Sequence, residues 1–357
     1  MTESSANGFE RWAAAVIARR WPGARLDNIV ALRGDLSTRR FWRATIAPRD
    51  LRDAPPTAIV VDLGPDDLPR YVRVLNLVTP APLEPPWLNL HRFLTSLGAP
   101  IPALYEAAPA ERAMLVEDVG DLTLLEAAKR SGANAADLYR LAVEELLRLH
   151  VDGTRKIDDA CIARQIAYDA RLFEWELKEF LELGLELVSP GADAESIRPE
   201  LAALATRLDR YPRVFSHRDY HGQNLYLQNG VRLRMRLRMI DFQDALMAPA
   251  AQDLAVLLTT RDADDVITPA IEKRLLDFYS AGLARRGASE LSDANFATSY
   301  QLCVLQHALK MIGRFELFER GGKTGYRIYI PHVLKQARRM LAPLRGDFPR
   351  LAEALNA

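Results

Sequence analysis

Phe215-Ser216-His217-Arg218-Asp219-Tyr220-His221-Gly222-Gln223-Asn224, followed by Ile240-Asp241-Phe242-Gln243-Asp244, is the stretch on which the fold turns. It spells H-x-D-x-x-x-x-N, a pair of strands, then D-F. Between the two blocks, Leu225-Tyr226-Leu227-Gln228 and Val231 to Ile240 alternate with period two. They meet at Asn229-Gly230, which tolerates the positive φ angles of a two-residue type I′ turn. The arginines at 232, 234, 236 and 238 read as a solvated strand face. Phosphoryl transfer from ATP to a hydroxyl needs a carboxylate that orients and deprotonates the acceptor. It also needs an Asn and an Asp to hold Mg²⁺ on the phosphates. Asp219, Asn224 and Asp241 fit those three roles in order, and the complete spacing is far more specific than one His-Arg-Asp triplet.

Outward from this block the chain divides by periodicity. An opening amphipathic helix (Phe9, Trp12, Ala13, Val16, Ile17, Trp21) precedes short strand-like runs at Ile29-Leu32, Phe41-Ile46, Ala58-Asp62 and Ala113-Glu117. One helix, Trp87 to Leu97, interrupts them and is stopped by Gly98 and Pro100. Beyond Gly120, helical patterns run over Asn134-His150, Ile162-Leu187, Pro199-Arg210, Pro269-Arg286 and Phe296-Phe318. The expected class is α+β: a small antiparallel-sheet lobe over residues 1–116 and a larger, mostly helical lobe over 117–357 that carries the catalytic loop. A chain of 357 residues, 49% hydrophobic, is long enough for both cores.

Composition removes other classes. Lys plus Arg equals Asp plus Glu at 47 each, so the overall charge footprint of a nucleic-acid binder is missing. Cys161 and Cys303 lie far apart and read as inert thiols in a reducing compartment. The N-terminus has no secretory pattern and no 18-residue apolar run follows. The expectation is a cytoplasmic protein with a small-molecule substrate, no membrane span and no obligate protein partner. Gly321-Gly322-Lys323-Thr324 lacks the earlier glycine of a phosphate loop, because Leu317 stands there. The six histidines form no zinc pattern.

The His217-x-Asp219-x-x-x-x-Asn224 loop, the Asp241-Phe242-x-Asp244 turn and Pro249-x-x-x-Asp253-Leu254-Ala255 resemble the aminoglycoside phosphotransferase-like kinases, a branch of the bilobal protein-kinase-like fold. The likeness extends to the bacterial anomeric kinases that phosphorylate C1 of N-acetylmuramate and N-acetylglucosamine in peptidoglycan recycling. It rests on Gly34 to Arg43, Glu117-Asp118-Val119-Gly120-Asp121, Asp241 to Ala245 and Leu305 to Phe315. The resemblance implies ATP and Mg²⁺ as cofactors and an amino sugar as acceptor. It implies Asp219 as catalytic base, and Asn224 and Asp241 as metal ligands. Gly34, Ser37 and Thr38 would cover phosphates, and the main chain at Val116, Glu117 and Val119 would face adenine.

One departure stands out. The first lysine is Lys129, so the third strand lacks the usual phosphate-holding lysine. Arg39, Arg40 or Arg43 are candidates to replace it, since a guanidinium forks onto phosphate oxygens; as ordinary exposed strand arginines they would do nothing of the kind. Glu84 has only a weak claim as the helix acid. For the acceptor, residues 301–357 carry ten Lys or Arg against four Asp or Glu. That repels a polycationic aminoglycoside and suits a sugar carrying a carboxylate, which Lys310, Arg314 or Arg327 would meet. An amphipathic helix with its basic face in water is the alternative. His217, Phe173, Glu174, Trp175, Gln306 and His307 are further acceptor-site candidates. A kinase for another acceptor (aminoglycoside, other sugar, amino alcohol) shares all these motifs, and a non-catalytic nucleotide-binding module also stays open.

Overall fold

The computed structural model describes residues 3–32, 39–49, 52–64, 68, 70–78, 84–229, 235–261, 263–291 and 295–357. Five antiparallel strands form the first sheet in the order β1-β2-β3-β5-β4. These are β1 (Arg25–Ala31), β2 (Arg40–Ala47), β3 (Thr57–Asp62), β4 (Leu104–Ala108) and β5 (Ala113–Glu117). Period-two alternation gives the sheet two apolar faces. Ala44, Ile46, Ala58, Val60 and Leu115 bury against Ala13, Val16, Ile17 and Trp21 of the helix Glu3–Arg20 and its end. Val61, Leu63, Met114 and Val116 take the other side, under Trp87 and Leu88 of the helix Pro86–Ser96. The edge strand β4 escaped the sequence reading because its five residues are all half-buried and show no in-out contrast.

The large lobe is built on the helix Phe296–Arg320, which packs against the helices Ala170–Glu179, Ala251–Thr259 and Ile330–Leu341. Its closest approach is made by glycine. A Cβ on Gly313 would stand 2.4 Å from the Glu179 carbonyl carbon and 2.5 Å from Phe180 N, and a Cβ on Gly184 would stand 3.0 Å from Gly313 N. Backbone cannot retreat as a side chain can, so Gly313→Ala is expected to destabilise the fold by about 1–3 kcal/mol through overpacking. A chemical-denaturation midpoint equal to the parent's would contradict this close approach.

Three element expectations need correcting. The long helix expected at Ile162–Leu187 is broken: Ile162–Gln165 makes one turn, and residues 166–169 are extended. Met247 N donates to Ile166 O, and Tyr168 N to Met247 O, both at 2.8 Å. Asp169 then caps a fresh helix, accepting from Leu172 N at 3.1 Å. The helix expected to start at Pro199 begins at Ala194 behind the Asp193 cap, keeping Pro199 inside it. In the hairpin, β7 (Leu225–Asn229) and β8 (Met235–Met239) set Asn229 opposite Met235. That register differs from the one a two-residue turn at Asn229-Gly230 would give, and residues 230–234, with the start of the strand expected from Val231, lie outside the described residues. Arg238 also leaves the solvated-face reading, because its guanidinium donates to Glu117 and to Ile101 O.

Candidate active site

The H-x-D-x-x-x-x-N loop leaves β6 (Arg213–Ser216) and enters β7, while the D-F turn leaves β8 and enters β9 (Leu246–Pro249). Because β6 pairs with β9 and β7 with β8, both loops emerge at one place. Hydrogen bonds stitch them together: Ile240 N to Asn224 O at 3.0 Å, and His217 Nε2 against Ile240 O at 3.1 Å. Beneath them lies Asp253 of the helix Ala251–Thr259, fully buried. Its carboxylate accepts from His217 N, Arg218 N and Ser216 Oγ, each at 2.9 Å, and contacts His150 Nε2 at 3.1 Å. That anchor holds Arg218 at φ +74°, and Asp241 sits at φ +64°. Left-handed backbone at a non-glycine residue costs on the order of 1–3 kcal/mol and persists where surroundings over-determine it.

Asn224 and Asp241 carry the oxygens that a hard cation would need. Asn224 Nδ2 donates to Asp219 O at 2.9 Å and lies 3.2 Å from His221 Nε2, which leaves its carbonyl oxygen uncommitted. Arg39 Nη2 at 3.3 Å and Gln243 Nε2 at 2.9 Å both use Oδ1 of Asp241, so Oδ2 is free of them. The Asp241 side chain is 40% exposed, and carboxylate and amide oxygens are the ligands Mg²⁺ takes. Among the described residues no donor is spent on the Asp219 carboxylate, which is half-buried. Nearby Asp244 is pushed up to about 6 by burial, against the pull of Arg218, with Asp219 and Asp241 adding repulsion. Two nearby imidazoles are held below their ordinary value. Burial, then Arg261, takes His221 down to about 4; burial, then Lys310, takes His307 down to about 3.

On the small-lobe side, Gly34, Ser37 and Thr38 lie outside the described residues. Of the three candidate arginines only Arg39 reaches the D-F aspartate. Arg43 is corrected to a strap: it is bound to Asp118 at 2.7 Å and Asp121 at 2.8 Å, tying β2 to the chain between the lobes. Arg40 is held by Asp62, its cross-strand partner, at 2.6 Å. The Glu117 side chain accepts from Ala103 N at 3.0 Å and from Arg238, so it braces the start of β4 and the hairpin. Val116 and Val119 are buried beside it. Glu84 engages Arg92 and Asn89, not the phosphate side.

On the acceptor side, several candidates move. Phe173 is fully buried and stacks on Tyr168 at 4.1 Å, a core residue out of substrate reach. Glu174 is exposed on the outer face of its helix, whereas Glu176, two residues on, points inward. Helical periodicity carries that signal, but a buried glutamate is indistinguishable from an exposed one without its partners. His217 is spent on joining the two loops. His307 is buried with Nε2 2.7 Å from Thr260 Oγ1, and Gln306 Nε2 donates to Glu176 at 3.0 Å. The basic surplus of residues 301–357 is met by acids from elsewhere, which corrects the carboxylate-catching role of Lys310, Arg314 and Arg327. Lys310 binds Glu176 at 3.0 Å, Arg314 binds Glu179 at 2.9 Å and Arg339 binds Glu272 at 2.6 Å, while Arg327 stays on Glu316 at 2.8 Å. Trp175 is half-buried, 6.5 Å from Tyr71 and under Arg314. Asp244, Asp253, Glu176 and Tyr71 are the residues that sequence reasoning left without a role.

The model of the phosphotransferase enzyme family (APH) matches residues 29–289. Two similar curated proteins are named N-acetylmuramate/N-acetylglucosamine kinase. One, from Caulobacter vibrioides, is 29% identical over 326 residues, covering 85% of each chain. The other, from Neisseria meningitidis, is 26% identical, covering 87% of this chain and 86% of that one. Among solved structures, a choline kinase from Cryptosporidium parvum superposes with a TM-score of 0.60 at 14% identity, over 97% of this chain and 99% of the other. That likeness shows the shared two-lobe fold. No described helix is long and apolar enough to cross a membrane.

Proposed function

The chain belongs to the phosphotransferase enzyme family, and on that premise we propose that it moves the γ-phosphoryl group of ATP onto the anomeric (C1) hydroxyl of an amino sugar, N-acetylmuramate or N-acetylglucosamine, in peptidoglycan recycling. The observation that carries this reading is the juxtaposition of an unspent Asp219 carboxylate with the Asn224 and Asp241 oxygens across one stitched pair of loops. The names of two relatives at 26–29% identity support the acceptor.

In this reading Asp219 orients the acceptor hydroxyl and takes its proton as the new P–O bond forms and the bond from the γ-phosphorus to the bridging oxygen breaks, with ADP leaving. Asn224 and Asp241 hold Mg²⁺, which supplies charge neutralisation on the phosphates. Arg39, already at Asp241, offers a fork to phosphate oxygens in place of the third-strand lysine. The anomeric hydroxyl is more acidic than an ordinary alcohol, so a carboxylate suffices as base. Trp175 offers a half-exposed aromatic face at the acceptor side.

ATP consumption with mass detection tests the acceptor, offering both sugars, their methyl glycosides blocked at C1, and kanamycin. Phosphate is expected on the free sugars and not on the glycosides; phosphorylated methyl glycoside or kanamycin would move the reaction to another hydroxyl or acceptor. Asp241→Ala is expected to abolish the Mg²⁺-dependent part of the thermal shift with ATP. An unchanged shift would remove Asp241 as a ligand.

A further inference from the structure

A buried charge cluster lies directly behind the proposed base. Arg218, the residue before Asp219, sends its guanidinium inward: Nη2 donates to Glu176 Oε1 at 2.9 Å and Nη1 to Asp244 Oδ2 at 3.2 Å. The guanidinium also covers the Tyr71 ring at 4.0 Å. Glu176 is fully buried, and both its oxygens are saturated. Oε1 also binds Lys310 at 3.0 Å, and Oε2 accepts from Gln306 at 3.0 Å and from Tyr168. Burial pushes the Glu176 carboxyl up, yet Lys310, Arg218 and the Tyr168 hydroxyl outweigh it and hold the group well below the usual carboxylate range.

A buried ion pair of this kind is weak evidence for stability, since desolvation offsets the attraction. Its geometry matters more. Arg218 carries a left-handed φ of +74°, with its backbone N–H fixed by Asp253. With the peptide held at one end and the guanidinium at the other, the residue has little freedom left. The direction in which the chain leaves it, and hence the aim of Asp219, follows from that double anchorage. We propose that Glu176 is a positioning residue for Asp219, acting through Arg218 to hold the loop conformation that points the Asp219 carboxylate into the cleft. This rests on the reading of Asp219 as the base.

Two single variants and their combination test it, each measured on folded protein. Arg218→Met leaves Glu176 paired with Lys310 and takes from Asp244 its Arg218 partner. It is expected to lower kcat about 10–100-fold, the scale of a misplaced catalytic group, with the KM for ATP within about 3-fold of the parent. Glu176→Gln is expected to do the same. Because both act on one element, the double variant is expected to lose no more kcat than the worse single variant. A kcat within about 2-fold of the parent in Arg218→Met, or multiplying losses in the double variant, would overturn the proposal. Failure of the underlying reading shows separately, as near-parent turnover by Asp219→Asn.

Discussion

Asp219→Asn is expected to lose about 10²–10⁴-fold in kcat, the span attributable to positioned proton transfer, while Mg-ATP still raises its melting temperature as in the parent. The substitution keeps the size of the side chain and removes only its basicity. The nucleotide-side groups are untouched: Asn224 Nδ2 donates its hydrogen bond to the Asp219 main-chain carbonyl, not to the carboxylate. Turnover and nucleotide binding should therefore separate. A variant that turns over near the parent rate would remove Asp219 from the chemistry, and one that loses the Mg-ATP shift as well would mean the loop itself had collapsed.

Asp253→Ala is expected to be the most damaging change to stability, by about 3–5 kcal/mol, because it strands several buried donors at once. His217 N, Arg218 N, Ser216 Oγ and His150 Nε2 would all face a methyl group. Urea denaturation reads the loss, and the same variant should be nearly inactive even where folded, since the left-handed Arg218 loses its anchor. A parent-like midpoint would show that water replaces the carboxylate at little cost. The pH dependence has a definite sign. Burial pushes the Asp253 carboxyl up, but hydrogen bonds and charge from His150, His217 and Ser216 bring it below its ordinary value. Its contribution is thus present above about pH 4 and fades as pH falls further, so the gap between the parent and Asp253→Asn narrows on the acid side.

The parts of this site readable in the sequence are those where chemistry forces both residue type and spacing. Asp219, Asn224 and Asp241 stand on two loops whose separation is fixed by one hairpin, and the paired strands bring them together. The sheet lobe was legible because Ala58, Val60 and Val61 alternate between two buried faces. Where the reading failed, the cause was a partner far away in sequence. Arg43 was a phosphate candidate until Asp118 and Asp121 claimed it from 75 and 78 residues on. Lys310 looked free because Glu176, its counter-ion, sits on another helix. Phe173 and Glu174 stand three and two residues before the inward Glu176, and a run of Leu, Phe, Glu, Trp and Glu does not say which acid faces the core.

The residues between β3 and β4 add a constraint on how this chain comes off the ribosome. Tyr71, Val72, Leu90, Leu94 and Leu97 precede the sheet's last two strands, yet all belong to the core of the helical lobe. Phe93 meets Phe215, Trp87 meets Phe242, and the Leu97 carbonyl accepts from Arg148. The helix Glu3–Arg20 and strands β1 to β3 can assemble as they emerge. The apolar face of Pro86–Ser96 must wait, at ordinary translation speed on the order of ten seconds, until the chain beyond the D-F turn has been added. Nascent chains stalled between residues 116 and 215 should thus be preferred clients of chaperones, and a fragment cut after residue 116 should aggregate where the full chain does not.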